Sequence, residues 1–186
     1  MQDLGDKVTI VTGGTRRTED RAALRVLAAE PLWLAFCDSQ SHCSPILDAV
    51  TAALPEVIDK RNPRSVFLPL GLFHSDHQLV HEAARPLARP DQERCWFVYA
   101  DALYRGIPGL VNEKPRLCAA AGLWIEPVAL PLQAEVARKR EAVHCYYSQV
   151  RTLMTSGRPS YCNVFAPEQF WRLQGCVLDE QDHGAA

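Results

Sequence analysis

No stretch of this sequence approaches the roughly 20 consecutive apolar residues that a membrane-spanning helix requires, which excludes a helical span. Charge of one sign is also scarce. With 20 Lys and Arg against 22 Asp and Glu, the net charge is -2, and nucleic acid or an anionic membrane would call for a clustered basic excess. Arg138, Lys139 and Arg140 form the one basic triplet, and their helical setting reads as a solvated face. The seven cysteines form no C-x-x-C pair and their odd number leaves one unmatched, so a reduced, cytoplasmic chain is expected. The opening "MQDLGDKVTIVTGG" has no basic segment, apolar core and cleavage site, and so does not read as a signal peptide. The chain also lacks a G-x-S-x-G elbow, a phosphate loop, a G-x-G-x-x-G fingerprint, an internal repeat and a low-complexity tract.

What remains is ordinary globular composition, 47% apolar and 23% charged, over 186 residues, which predicts one domain spanning 1–186. Val8 to Thr12 is a β-branched run closed by Gly13-Gly14 and reads as a buried strand. A helix follows, with Thr18 as cap and Pro31 as stop. Residues 32–36 form a second strand, and a helix from about Ile46 to Lys60 is interrupted at Pro55. Residues 65–70 form a third strand, a helix runs to about Leu87, and residues 95–100 make a fourth strand. Residues 123–130 are strand-like, 131–156 read as one long helix, and "PEQFWRL", 167–173, as a short helix with aromatic anchors. Alternating strands and helices predict an α/β fold, a doubly wound and mainly parallel sheet with helices on both faces. In such sheets ligands gather beyond the carboxyl ends of the strands.

Those ends carry the residues with chemistry. In "PLGLFHSDHQLV", an apolar run breaks into His74, Asp76 and His77 where a strand ends and a helix begins. A helix N-terminus disfavours the protonated imidazole, which predisposes such a ring to metal ligation, and a nearby carboxylate can orient its other nitrogen. The alternative is that Ser75 or Asp76 caps the helix while both histidines sit in a solvated turn. Asp38, after the second strand, either contacts a ligand or makes a turn hydrogen bond. Arg16 and Arg17 follow the Gly-Gly turn and either hold an anionic or hydroxyl-rich substrate or supply surface charge. Asp101, Tyr104 and Arg105 lie beyond the fourth strand, where Tyr104 either lines a pocket or covers the core edge. His42 with Cys43, and His81 with Glu82, have no partner at structural-zinc spacing; His81, four residues after His77, is a minor alternative ligand.

In their order, these features resemble the PIG-L/LmbE family of zinc-dependent N-deacetylases, over roughly residues 5–173. "HSDH" resembles the family's H-P-D-H motif, with Ser75 for proline. Arg16, Glu19 and Asp38 match its R-x-x-E helix start and the strand ending in aspartate. Asp101 and Tyr104 resemble its D-x-P-Y element, with Leu103 for proline, and "KREAVHCYYSQ" its K-x-x-A-x-x-x-Y-x-S-Q helix. The resemblance implies a Zn2+ cofactor that activates water for attack on an acetamide. It implies His77 as a metal ligand, His74 as oxyanion stabiliser or proton donor to the leaving amine, and Asp76 orienting an imidazole. Arg16, Asp38, Asp101 and Tyr104 would line the site of a sugar-like or acylated amine substrate such as N-acetylglucosamine. The charge balance predicts no nucleic-acid partner and the short apolar runs no membrane span, and a homo-oligomer is allowed.

One family element has no counterpart. No A-H-P-D-D-E motif or close variant occurs in the sequence, so the zinc ligand set is expected to be incomplete and the sheet to lack its first central strand. The expectation is an N-terminally shortened deacetylase or a degenerate paralogue; the alternative is a non-catalytic relative that binds a sugar-like ligand or completes its sheet with a partner's strand.

Overall fold

The computed structural model describes residues 7–12, 17–36, 46–88, 94–120, 122–129, 135–153 and 162–174. The chain divides into two compact units, residues 1–46 with 130–167 and residues 47–129 with 168–186. The α/β expectation holds, in the form of two sheets with different strand directions.

In the first unit, β1 (Lys7–Thr12) and β2 (Ala29–Leu34) pair in parallel through α1 (Arg17–Val26), with Lys7 opposite Ala29 and Thr12 opposite Leu34. Helix α1 buries Glu19, Ala23 and Leu24, one stripe at helical spacing, and turns Arg17, Arg21 and Arg25 outward. It ends earlier than expected. Ala28 adopts φ 51°, a left-handed conformation that breaks the helix, so Pro31 stands inside β2 and not at the helix stop. Proline fits there because β2 has a hydrogen-bonded neighbour on one side only among the described residues. Thr18 lies inside the first turn and is not the cap.

The long helix expected over 131–156 is two helices in its described part, α5 (Val136–His144) and α6 (Tyr147–Leu153). Tight bonds from Cys145 N to Ala142 O and from Tyr146 N to Val143 O close the first. The second starts on a distant carboxylate: Glu19, buried in α1, accepts from Ser148 N at 3.0 Å and from Ser148 Oγ at 2.8 Å. Burial, with Asp20 beside it, pushes the Tyr146 phenol well above its ordinary range. Two motifs 129 residues apart, R-x-x-E and Y-x-S-Q, thus meet in space. A short helix α7 (Cys162–Phe165) packs on α5, with the Lys139 ammonium donating to Ala166 O at 2.7 Å.

The second unit holds α2 (Leu47–Arg61), β3 (Ser65–Pro69), α3 (Ser75–Ala84) with a 3-10 turn at Arg85–Leu87, β4 (Cys95–Tyr99), α4 (Leu110–Ala120), β5 (Trp124–Val128) and β6 (Phe170–Gln174). Helix α2 runs unbroken through Pro55, because Val50, Leu54 and Ile58 at four-residue spacing bury one face and α2 packs on α3. The sheet order is β3-β4-β6-β5, with β3 parallel to β4 and β6 antiparallel to both β4 and β5. A mixed sheet therefore replaces the mainly parallel one expected. The cause is residues 170–174, read from sequence within a helix: their alternating pattern seats Leu173 beside Ile125 and Trp171 beside Val98 on the buried face. That face carries Leu68, Trp96, Val98 and Leu173, with α3 packed on β3 and α4 on β5. On the opposite face Phe67, Phe97 and Phe170 make a ring cluster, Phe67 and Phe97 stacked at 4.9 Å.

Candidate active site

The chain leaves β3 with Leu70 N donating to Tyr99 O at 2.8 Å, which carries the parallel ladder one residue past the strand. Gly71 then turns at φ +69°, and a Cβ there would stand 3.2 Å from both Gln78 Cα and His81 Cβ. Only glycine lets the strand end lie this close to α3. Leu72 N donates to Asp101 Oδ2 at 2.9 Å, tying the loop after β3 to the loop after β4. Both loops lie at carboxyl ends of adjacent parallel strands.

Asp101 organises the place where they meet. Its residue is 2% exposed, and a buried carboxylate is costly unless its oxygens find partners. One oxygen takes the Leu72 amide; the other lies 2.9 Å from His77 Nδ1. That second contact has the distance of a hydrogen bond without its alignment, and neither atom has a hydrogen-bond partner among the described residues. In a neutral ring a carboxylate at that distance favours the tautomer with the proton on Nδ1, which would leave the Nε2 lone pair for a ligand; the His77 side chain is 41% exposed.

His74 is in the complementary state. It is the N-cap of α3, with extended backbone (φ -68°, ψ 132°), and its Nδ1 accepts from Asp76 N at 3.2 Å. An accepting Nδ1 puts the proton of the neutral ring on Nε2. The Asp76 carboxylate stands 3.8 Å from Nδ1, too far for a hydrogen bond, so Asp76 acts on His74 through its backbone amide. The carboxylate beside an imidazole is Asp101. The two rings lie 5.3 Å apart.

Tyr104 turns back over this pair. Its amide and that of Arg105 donate to Asp101 O, both at 3.0 Å, and its ring stands 6.4 Å from His74 and 5.1 Å from Phe73. Burial, then the Asp101 charge, raises the Tyr104 pKa, which keeps it a phenol and a donor. Arg105 itself pairs with Glu168 at 3.4 Å. Asp101 departs from its expected place in a sugar site: it is drawn under the loops, where one oxygen accepts from Leu72 N and the other lies 2.9 Å from His77 Nδ1.

His81 also departs from expectation as an alternative ligand. It is 5% exposed, with Nδ1 3.1 Å from Pro69 O, and burial lowers its pKa, with Lys114 and Arg85 adding to that against the Pro69 bond and Glu82. Its role is to hold α3 against the end of β3. Arg16 and Asp38 lie outside the described residues, as do His42 and Cys43. Sequence reasoning passed over two contributors, Gly71 and Phe73. A glycine inside an apolar strand end was the available signal for the first.

The resemblance implies zinc, and the described residues do not by themselves fit it. Among them no group of three or more His, Cys, Asp or Glu side chains comes together to hold a metal.

No protein-family model matches the chain, and no curated protein matches it. Solved structures do. A deacetylase triple mutant of the teicoplanin biosynthetic pathway superposes with a TM-score of 0.67 at 22% identity, over 89% of this chain and 72% of that one. The A40926 pseudoaglycone deacetylase Dbv21 gives 0.65 at 18% identity, over 92% and 86%. A zinc-inhibited form of the teicoplanin deacetylase Orf2 gives 0.66 at 19% identity, over 89% and 75%. At these identities the likeness establishes a shared α/β fold.

Proposed function

We propose that the chain is a metal-dependent hydrolase of the N-deacetylase type, a single domain over residues 1–186 acting on N-acetylglucosamine-like or related acylated amines. The observation that carries this reading is the pair of imidazoles at the N-terminus of α3, 5.3 Å apart, with His74 Nδ1 accepting from Asp76 N and His77 Nδ1 2.9 Å from the Asp101 carboxylate. One offers a proton and the other a lone pair, the two things an amide hydrolase needs at its scissile bond. The solved deacetylases of the same fold, one of them in a zinc-inhibited form, add support.

In this reading His74 Nε2–H of the neutral ring hydrogen-bonds the developing oxyanion, or the imidazolium form of His74 passes its Nε2 proton to the leaving amine nitrogen and returns to the neutral ring. Asp76 assists by holding His74 Nδ1 with its amide. Asp101 sets the His77 ring, and His77 Nε2 would be one ligand of a zinc site that the described residues leave incomplete. Tyr104 donates its phenol proton to substrate, and Arg16 and Asp38 bind its polar groups. The reading also holds that the sheet is a Rossmann-like, doubly wound one lacking its first central strand. Its support is that β1 and β3 each have a parallel neighbour on one side only among the described residues.

Acetate release from N-acetylglucosamine conjugates tests the proposal. The chain alone should be nearly inactive, a version extended at its N-terminus by a strand bearing A-H-P-D-D-E should release acetate, and His77→Ala should abolish that release. An extended, folded version without activity would overturn it. The strands with a neighbour on one side only among the described residues, β1, β2, β3 and β5, favour a second reading, a non-catalytic relative that takes a strand from a partner chain. A monodisperse monomer that unfolds cooperatively would count against that one.

A further inference from the structure

An exposed aromatic residue adjoins the candidate catalytic histidines without a part in the chemistry above. Phe73 is 61% exposed, and single exposed apolar residues are common and need no explanation. This one is different in how it is held. Its backbone is fixed on both sides: Leu72 N is bound to Asp101 Oδ2, and His74 is the α3 cap whose carbonyl accepts from Gln78 N at 3.0 Å. Its ring lies 5.1 Å from the Tyr104 ring at a tilt of 33°, a separation at which the two lean face against face, so Tyr104 backs the Phe73 ring while most of Phe73 stays open to water. Tyr104 continues to His74 at 6.4 Å, and His74 to His77 at 5.3 Å. Four rings thus form one row, hydrocarbon at one end and imidazole at the other.

We propose that Phe73, with Tyr104, is a platform that selects substrates carrying a flat aryl group next to the acylated amine. A molecule whose amide lies at the imidazoles extends its neighbouring group along the row onto the open side of Phe73, which Tyr104 supports from behind. Stacking there removes apolar surface of both Phe73 and the ligand from water, and the anchored turn leaves little backbone entropy to lose on binding. The inference rests on the deacetylase reading for the position of the amide, and on Phe73 itself for the selectivity.

The test is equilibrium binding, by calorimetric titration, of three probes to the full chain: the benzyl and methyl glycosides of N-acetylglucosamine, and benzyl glucoside, which lacks the acetamide. The wild-type chain should bind the benzyl N-acetylglucosaminide roughly 3- to 10-fold more tightly than the methyl one, the range of a single aromatic pair. Phe73→Ala should erase that ratio and Phe73→Tyr should keep it. Because Phe73 is exposed, Phe73→Ala should unfold within about 2 °C of wild type, which separates lost selectivity from lost folding. A wild-type chain that binds the benzyl and methyl probes equally, or binds neither, overturns the platform, as does a ratio that survives Phe73→Ala. If the aryl preference depends on Phe73 while benzyl glucoside binds as well as its acetamido counterpart, the platform stands and the deacetylase reading fails. If acetamide preference persists while Phe73→Ala leaves the aryl ratio unchanged, the platform fails and the deacetylase reading stands.

Discussion

Replacing Asp101 by alanine should do more damage than any other single change at the site. The Asp101 carboxylate, in a residue only 2% exposed, receives the buried Leu72 amide at 2.9 Å and faces His77 Nδ1 at 2.9 Å. A hydrogen bond to a charged group contributes about 1.5–3 kcal/mol, and the Leu72 amide left without an acceptor costs about 1–3 kcal/mol more. The two overlap, so a loss of about 3 kcal/mol is expected, which for a chain of this size lowers the melting temperature by about 6–12 °C. Asp101→Asn separates the contributions. Its carbonyl oxygen can still accept from Leu72 N, while its amide group donates toward His77 and drives the ring proton from Nδ1 to Nε2. The asparagine variant should therefore lose only about 1 kcal/mol and yet change tautomer at His77. Thermal unfolding reads the first quantity and nitrogen NMR of labelled imidazoles the second. An alanine variant that melts within 1 °C (about 0.3 kcal/mol) of wild type would refute the claim that Asp101 ties the two loops.

Three further changes test other joints. Gly71→Ala forces a Cβ into the 3.2 Å approach to Gln78 and His81 at φ +69°, and should cost about 1–3 kcal/mol in urea unfolding. His81 has its pKa lowered from 6.5 by burial, so the unfolded chain binds its proton more readily than the folded one. Its stabilising contribution is complete above about pH 6.5 and is lost as pH falls through the folded pKa; His81→Leu should flatten this part of a melting-temperature profile below neutrality. Glu19→Ala removes both acceptors at the start of α6, and hydrogen exchange of the Tyr147–Leu153 amides should quicken as if about 1–3 kcal/mol were lost, with α3 amides unchanged.

Much of the fold was legible because strand and helix patterns alternate cleanly from β1 to β4. The junction at His74 was legible too, since an apolar run that stops at "HSDH" marks a strand passing into a helix N-terminus. Where reading failed, tertiary pairing had overruled a local signal. Residues 170–174 carry aromatics that fit a helix as readily as a strand, and the β4 and β5 edges on either side decide for strand. Pro31 and Pro55 are strong local stops, yet one sits in a strand and the other inside a helix with one buried face. In the site, the motif spacing found His74, His77, Asp101 and Tyr104, and the structure brings those four together. It could not say which carboxylate orients which imidazole, because Asp76 is the nearer in sequence and Asp101 the nearer in space.

The most direct test of the account is zinc titration of the chain with nitrogen NMR read at His77 Nε2. The account predicts weak uptake by the chain alone, and tight uptake with a shifted His77 Nε2 signal once an A-H-P-D-D-E strand is added at the N-terminus. Tight, stoichiometric zinc uptake by the unextended chain, or uptake by the extended one that leaves His77 Nε2 unmoved, would contradict it.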